Sequence, residues 1–207
     1  MPTSQHFQIS RILDLVVLLN PKSVLDIGTG FGKYGLLCRE FLELWDGKET
    51  YGKFRHRIEG IEIFEKYLTP VHAYVYDRVH VGDAAQVVQN LESSFELALL
   101  IDVLEHFDRP AGEKLVADIL SRCRYLIASV PRDNGQQGEM YENSHETHLA
   151  QWTARDLLRL APGFSCSDRM SHIVLLSRDG DLTRARRAFA PPVWIRAKRS
   201  LADIVRR

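Results

Sequence analysis

Four carboxylates stand where runs of apolar residues end. They are Asp26 in Ser-Val-Leu-Asp-Ile, Glu62 in Ile-Glu-Gly-Ile-Glu, Asp83 in Val-His-Val-Gly-Asp, and Asp102 in Leu-Leu-Ile-Asp. Carboxylates accept hydrogen bonds from hydroxyls and amines and pair with cations. Just after Asp26 comes Gly28-Thr29-Gly30-Phe31-Gly32, in which Gly28, Gly30 and Gly32 let the chain turn sharply and let a ligand come close. Residues 23–35 read as a buried strand, a glycine turn and the start of a helix, whose free N–H groups suit a carboxylate or phosphate. A second chemical set lies later in the chain: Glu105-His106, then His145 and His148. Histidine titrates near neutrality and suits proton transfer. A mixed carboxylate and imidazole set also suits a divalent cation.

The elements that position these residues follow from periodicity. Residues 7–19 carry Ile9, Ile12, Leu13, Val16 and Val17 at helical spacing, and Asn20-Pro21 ends that helix. For His6 and Phe7 the first expectation is plain helix packing, with contact to a neighbouring cleft as the alternative. After the glycine turn, 34–44 is a crossover helix and 45–57 a long polar loop. The next strand is 57–64, followed by a helix over 65–76 that Pro70 interrupts. Strand 78–81 precedes helix 84–91, and 95–101 is a near-continuous apolar run fit for a central parallel strand. Helix 113–123 and strand 125–130 follow, then a polar loop over 131–147. Thr153 and Asp156 form a capping box for helix 153–160. Two tightly joined strands, 164–170 and 172–177, complete the pattern. Alternating strands and helices imply an α/β, doubly wound, seven-stranded sheet, mostly parallel, with one antiparallel strand near the C-terminus. Ligands of such sheets sit beyond the carboxyl ends of the strands, the edge on which the four acids fall.

A chain of 207 residues supports one sizeable core, and its zero net charge gives no general pull towards nucleic acid or membrane. Cys38, Cys123 and Cys166 form no Cys-x-x-Cys pair, so neither a disulfide frame nor a zinc ribbon is indicated. The early apolar run 12–19 is too short to span a bilayer and lacks the marks of a signal peptide, so a cytoplasmic location is expected. The expected domain is 1–180. The tail, 181–207, carries eight Arg or Lys against two Asp, and Trp194, Ile195, Leu201, Ile204 and Val205 would line one face of a short helix. Such a helix suits a membrane surface or a partner protein, and equally its own domain.

The pattern Asp26-x-Gly28-x-Gly30-x-Gly32 resembles motif I of the class I S-adenosylmethionine-dependent methyltransferases, with the resemblance extending over 24–131. A dinucleotide fingerprint fits less well, because Lys33 takes the place of the third glycine and Glu62 comes 30 residues after Gly32. The resemblance implies a Rossmann-like fold with S-adenosylmethionine as cofactor. It places Glu62 on the ribose hydroxyls, Ile63 on the adenine, and Asp83 with Ala84 at the adenine edge. Asp26 and the loop of Gly28, Thr29, Gly30 and Phe31 would hold the methionine ammonium, with Asp102 and Val103 completing the cofactor side.

Asp102-Val-Leu-Glu105-His106 is similar to the post-strand motif of small-molecule methyltransferases, such as those of quinone biosynthesis. Together with His148-x-x-x-Trp152-Thr153 it also resembles the metal-binding pattern of the small-RNA 3′-terminal 2′-O-methyltransferases, where glutamate stands in place of Asp102. Phe-Gly-Lys-Tyr-Gly and Ser129-Val130-Pro131 look like bacterial methyltransferases linked with surface-glycan or secondary-metabolite genes. The expectation is O-methylation of a small molecule, such as a sugar or glycan precursor, with His106 and His148 as catalytic bases. DNA is not expected as a partner, and the absence of an RNA-sized basic face argues against RNA. The alternatives are a metal-assisted 2′-O-methyltransferase of RNA ends, a non-catalytic protein on the same fold, and an NAD-linked oxidoreductase.

Overall fold

A computed structural model describes residues 4–45, 47, 53–133, 135 and 137–189. Among them, seven strands form one sheet in the order β3-β2-β1-β4-β5-β7-β6. These are β1 (Ser23–Ile27), β2 (Arg57–Glu62), β3 (Arg78–Val81), β4 (Phe95–Ile101), β5 (Cys123–Pro131), β6 (Gly163–Ser165) and β7 (Ser171–Ser177). β1 to β5 are mutually parallel, and β7 runs antiparallel to both of its neighbours. The sheet is therefore the expected seven-stranded, doubly wound one with a single reversed strand.

The seven α-helices among these residues are α1 (Ile9–Leu19), α2 (Lys33–Arg39), α3 (Pro70–Val75), α4 (Ala84–Asn90), α5 (Arg109–Arg122), α6 (Ala154–Leu160) and α7 (Thr183–Ala188). Strand side chains alternate between two cores. Leu25, Ile27, Ala98 and Leu100 meet α4, α5 and α6 on one face, while Val24, Leu97 and Leu99 meet α1, α2, α3 and α7 on the other. Central strands buried on both sides explain the near-continuous apolar run of β4, which only Glu96 interrupts.

Several elements depart from the sequence reading, each for a local reason. Pro70 does not interrupt a helix but begins one: it fills the first turn of α3, where its missing N–H costs nothing. Pro110 does the same for α5, which starts four residues before the expected 113, with Asp108 accepting the Ala111 N–H as N-cap. The crossover after the glycine turn is α2 continued by a π-helical turn, Glu40–Leu44. β6 is only three residues long, and Cys166 to Met170 connect it to β7, so those strands are not tightly joined. Leu182 and Ala185 are buried against the α1 side, so the start of the basic tail is built into the domain. The amphipathic segment expected beyond it, and part of the 45–57 loop, lie outside the described residues. No helix among the described residues is long and apolar enough to cross a membrane.

Tyr76, just after α3, packs against Gly35 and Gly60 and reaches Asp26 on the same face of the sheet. A Cβ on Gly35 would lie 2.3 Å from the Tyr76 ring, and one on Gly60 would lie 2.5 Å from Thr29 Cγ2. Neither neighbour is a flexible side-chain end, so both sites favour glycine. Gly35→Ala is expected to lower stability by about 1–3 kcal/mol despite alanine's better helix propensity. Urea unfolding of the variant checks this, and a more stable variant would show that Tyr76 can move aside.

Candidate active site

A cavity of about 390 Å³ opens at the carboxyl ends of the parallel strands. That volume lies in the range of small-molecule sites. Its lining takes in Gly28, Thr29 and Gly30 after β1, Glu62 and Ile63 at the end of β2, Asp83 and Ala84 after β3, and Asp102 and Val103 after β4. Three of the four acids thus share one rim.

The glycine turn is shaped by what packs on it. Gly28 has φ of +76°, and a Cβ there would lie 2.4 Å from Val103 Cγ2, so a bare backbone lets the β4 turn close over the β1 turn. Glu62 ties the β1 turn to the β2 turn. Its Oε2 accepts the Gly30 N–H at 2.8 Å and the Thr29 hydroxyl at 3.4 Å, and its Oε1 accepts the Phe64 N–H at 3.0 Å. Burial raises the Glu62 carboxyl above its ordinary pKa, and these hydrogen bonds oppose the rise. Asp83 combines its place in the lining with capping α4, accepting the Gln86 N–H at 3.1 Å.

Asp102 sits at φ of +53°, an uncommon conformation for a residue with a side chain. Its backbone N–H bonds the Ser129 carbonyl at 2.9 Å. Its side chain accepts from Gln8 Nε2 at 2.5 Å and the Ser129 hydroxyl at 3.3 Å. Burial raises this carboxyl too. The N-terminal segment therefore reaches the cleft through Gln8 and Ser4, the latter accepting from Lys33 Nζ at 2.6 Å. His6 and Phe7 are exposed and lie outside the lining.

Three site residues expected from the sequence are not in the lining: Asp26, Phe31 and His148. Asp26 lies inside β1, whose period of two turns its side chain into the face covered by α2 and α3. There it is 2% exposed and accepts the Tyr76 hydroxyl at 2.6 Å. Burial pushes its carboxyl up to about 7. Phe31 points outward, half exposed, with its ring edge-on to Tyr67 at 5.6 Å. His148 stands behind His106, with ring centroids 5.1 Å apart.

The far end of the cleft is built by the turn after β4 and the loop after β5. The Glu105 carbonyl accepts the N–H groups of Leu149 and Ala150, and His106 Nδ1 lies 3.1 Å from the Thr147 carbonyl. A carbonyl only accepts, so Nδ1 carries the proton and Nε2 keeps the lone pair. Burial lowers the pKa of His106 and favours the neutral ring. The same loop is held to the opposite wall by Tyr67, whose hydroxyl donates to Glu146 Oε1 at 3.0 Å and accepts from Asn143 Nδ2 at 3.3 Å. The loop thus roofs the cleft. Tyr67, Asn143, Glu146 and Gln8 escaped the sequence reading, since only tertiary contacts bring them here. Glu146 alone carried a signal, lying between His145 and His148.

Side-chain donor atoms of Glu105, His106 and His148 all lie within 4.8 Å of one another. Glu105 is 1% exposed, its Oε2 has no hydrogen-bond partner, and burial raises its pKa well above the usual carboxylate range. An orphaned buried carboxyl oxygen beside two imidazoles is a donor set that fits a divalent cation.

No protein-family model matches the chain, and no curated protein matches its sequence. Solved structures do match its fold. An O-methyltransferase family protein from Burkholderia thailandensis superposes with a TM-score of 0.56 at 12% identity, over 82% of this chain and 55% of that one. Magnesium protoporphyrin IX methyltransferase from Synechocystis, with bound S-adenosylhomocysteine, gives 0.54 at 16% identity over 81% of this chain and 80% of that one. The N-terminal domain of EvdMO1, with S-adenosylhomocysteine and D-fucose, gives 0.56 at 13% identity, covering 84% of each chain. This chain spans about half (55%) of the Burkholderia protein. The chain has the fold of the S-adenosylmethionine-dependent methyltransferases.

The buried Asp26 has a consequence for stability. A carboxyl raised on folding from 3.8 to about 7 stabilises the protein while protonated, and that contribution fades as pH rises through this window. Relative to Asp26→Asn, the wild type is expected to lose stability between pH ~4 and ~7 and to change little above it. Urea midpoints of the two proteins across that range check the sign, and a constant difference would mean that Asp26 stays ionised.

Proposed function

We propose that the chain binds S-adenosylmethionine and transfers its methyl group to a hydroxyl of a small acceptor. The observation that carries this reading is one cleft with two unlike ends. Glu62, Asp83 and Asp102 surround the glycine loop at one end, and a neutral His106 stands at the other. When bound, the cofactor supplies a methyl group on a sulfonium, a good leaving group.

The protein's part is to bind, orient and accept a proton. A carboxylate has about four acceptor sites. Glu62 uses three on the two turns, which leaves capacity for a ribose hydroxyl. Ile63 and Ala84 offer apolar contact for a purine, and Asp83 offers an acceptor for its amino group. His106, with its lone pair on Nε2, is the base for an acceptor hydroxyl, and His148 backs it. Alignment of the reacting groups supplies much of the rate in such a transfer.

The lining also bears on the acceptor. Near His106 it presents Phe107, Asp108, Ser144, His145, Thr147 and Leu149. Among the described lining residues the only lysine or arginine is Lys33, already bonded to Ser4. A neutral, hydroxylated acceptor such as a sugar suits this wall better than a phosphorylated one or an RNA end. The D-fucose present with the EvdMO1 domain is in keeping with a sugar acceptor.

A second reading is favoured by the Glu105, His106 and His148 group: these three would hold a divalent cation that lowers the pKa of the acceptor hydroxyl. The tautomer of His106 suits both readings, since a ligating imidazole commonly donates its other N–H to a carbonyl.

Calorimetry is expected to show S-adenosylhomocysteine binding and no NAD binding; binding of neither would favour a non-catalytic scaffold. Glu62→Ala is expected to weaken S-adenosylhomocysteine by about 1.5–3 kcal/mol, the scale of a lost charged hydrogen bond. Unchanged affinity would remove Glu62 from the site. His106→Ala should leave that affinity intact and slow methyl transfer to a small-metabolite extract by about 10²–10⁴-fold. Chelation by EDTA separates the two readings: unaffected turnover supports His106 as base, while loss restored by Mg²⁺ or Mn²⁺ supports the cation.

A further inference from the structure

α3 lies behind the glycine turn, and none of its residues carries a role in the site described so far. Yet His72 is 3% exposed and aimed at that turn. Its Nδ1 accepts the Thr69 backbone N–H at 3.1 Å, so Nδ1 is bare and the proton sits on Nε2. Nε2 in turn lies 3.0 Å from the Gly30 carbonyl and 3.3 Å from the Thr29 hydroxyl. One turn of chain later, Tyr76 stacks on His72 with ring centroids 5.6 Å apart and bonds Asp26.

We propose that His72 is a positioning residue for cofactor binding, fixing the Gly30–Phe31 peptide so that the turn is preformed. Gly30 has its N–H on Glu62 and its carbonyl on His72. The peptide groups on either side of Gly30 are thus each anchored, which fixes the dihedrals of the residue with most freedom to lose. The loop therefore meets its ligand already ordered, and the ordering cost falls on folding rather than on binding. Thr29 lies between the two anchors, placed to donate to Glu62 and accept from His72. The His72 contact acts only through the loop, since His72 itself is outside the cleft lining.

This inference rests on S-adenosylhomocysteine being the ligand, and the test separates the two claims. Asparagine mimics Nδ1 and keeps the Thr69 contact; glutamine mimics Nε2 and keeps the donor to Gly30. Calorimetry with S-adenosylhomocysteine is run on wild type, His72→Asn and His72→Gln, alongside thermal unfolding of each. The expected result is a roughly tenfold weaker Kd for His72→Asn, the scale of one lost hydrogen bond, with His72→Gln close to wild type. If both variants bind like wild type, or His72→Gln loses as much as His72→Asn, the proposal is overturned. Failure of the wild type itself to bind would contradict the cofactor reading instead. Nitrogen NMR of wild-type His72 tests the contact without any variant: the expected tautomer carries its proton on Nε2, and an Nδ1–H ring would overturn the proposal.

Discussion

The site depends on one buried carboxylate joining two turns. Glu62 is 5% exposed and holds the backbone N–H groups of Gly30 and Phe64 from opposite oxygens. Without it the turns after β1 and β2 would each carry an unpaired N–H in a place poor in water. Such groups cost about as much as a lost hydrogen bond, so the two turns and the carboxylate form as a unit. The remaining walls attach to this unit. Val103 packs on Gly28, Tyr67 joins Phe64 to the roof loop, and Asp26 with Tyr76 supports the turn from the helical face.

The two ends of the cleft differ because their titratable groups are held differently. At the loop end, Glu62 and Asp102 are raised by burial, and the donors around them favour the charged form. Beyond them, Glu105 has a bare oxygen and His106 a lowered pKa, so the groups there tend to neutrality. One end is suited to grip hydroxyls and amines, the other to take a proton or share a cation. Asp102 is held by Gln8 from the N-terminal segment and by Ser129 from β5.

Much of this was legible in the sequence because parallel strands buried on both faces leave long apolar runs, and acids at their ends fall on the edge where the cleft opens. Glu62, Asp83 and Asp102 follow from that rule. Asp26 does not, because it lies one residue inside its strand and the two-residue period turns it sideways. Pro70 reads as a break when it is a helix start; proline signals both, and only the cap before it decides. His72, Tyr67, Asn143 and Gln8 left no trace in spacing or composition. Their long-range partners lie from 42 to 121 residues away, a distance only the fold closes. Glu105 and His106 were visible as a pair, but His148's approach to them depends on a roof loop whose path no periodicity encodes.

A crystal structure of the protein soaked or grown with S-adenosylhomocysteine tests the central claim most directly. The account predicts the ribose hydroxyls within hydrogen-bond reach of the Glu62 carboxylate, the adenine beside Ile63 and Asp83, and the glycine turn unmoved. The ligand in another place, or a Glu62 that contacts only its own turns, would contradict it.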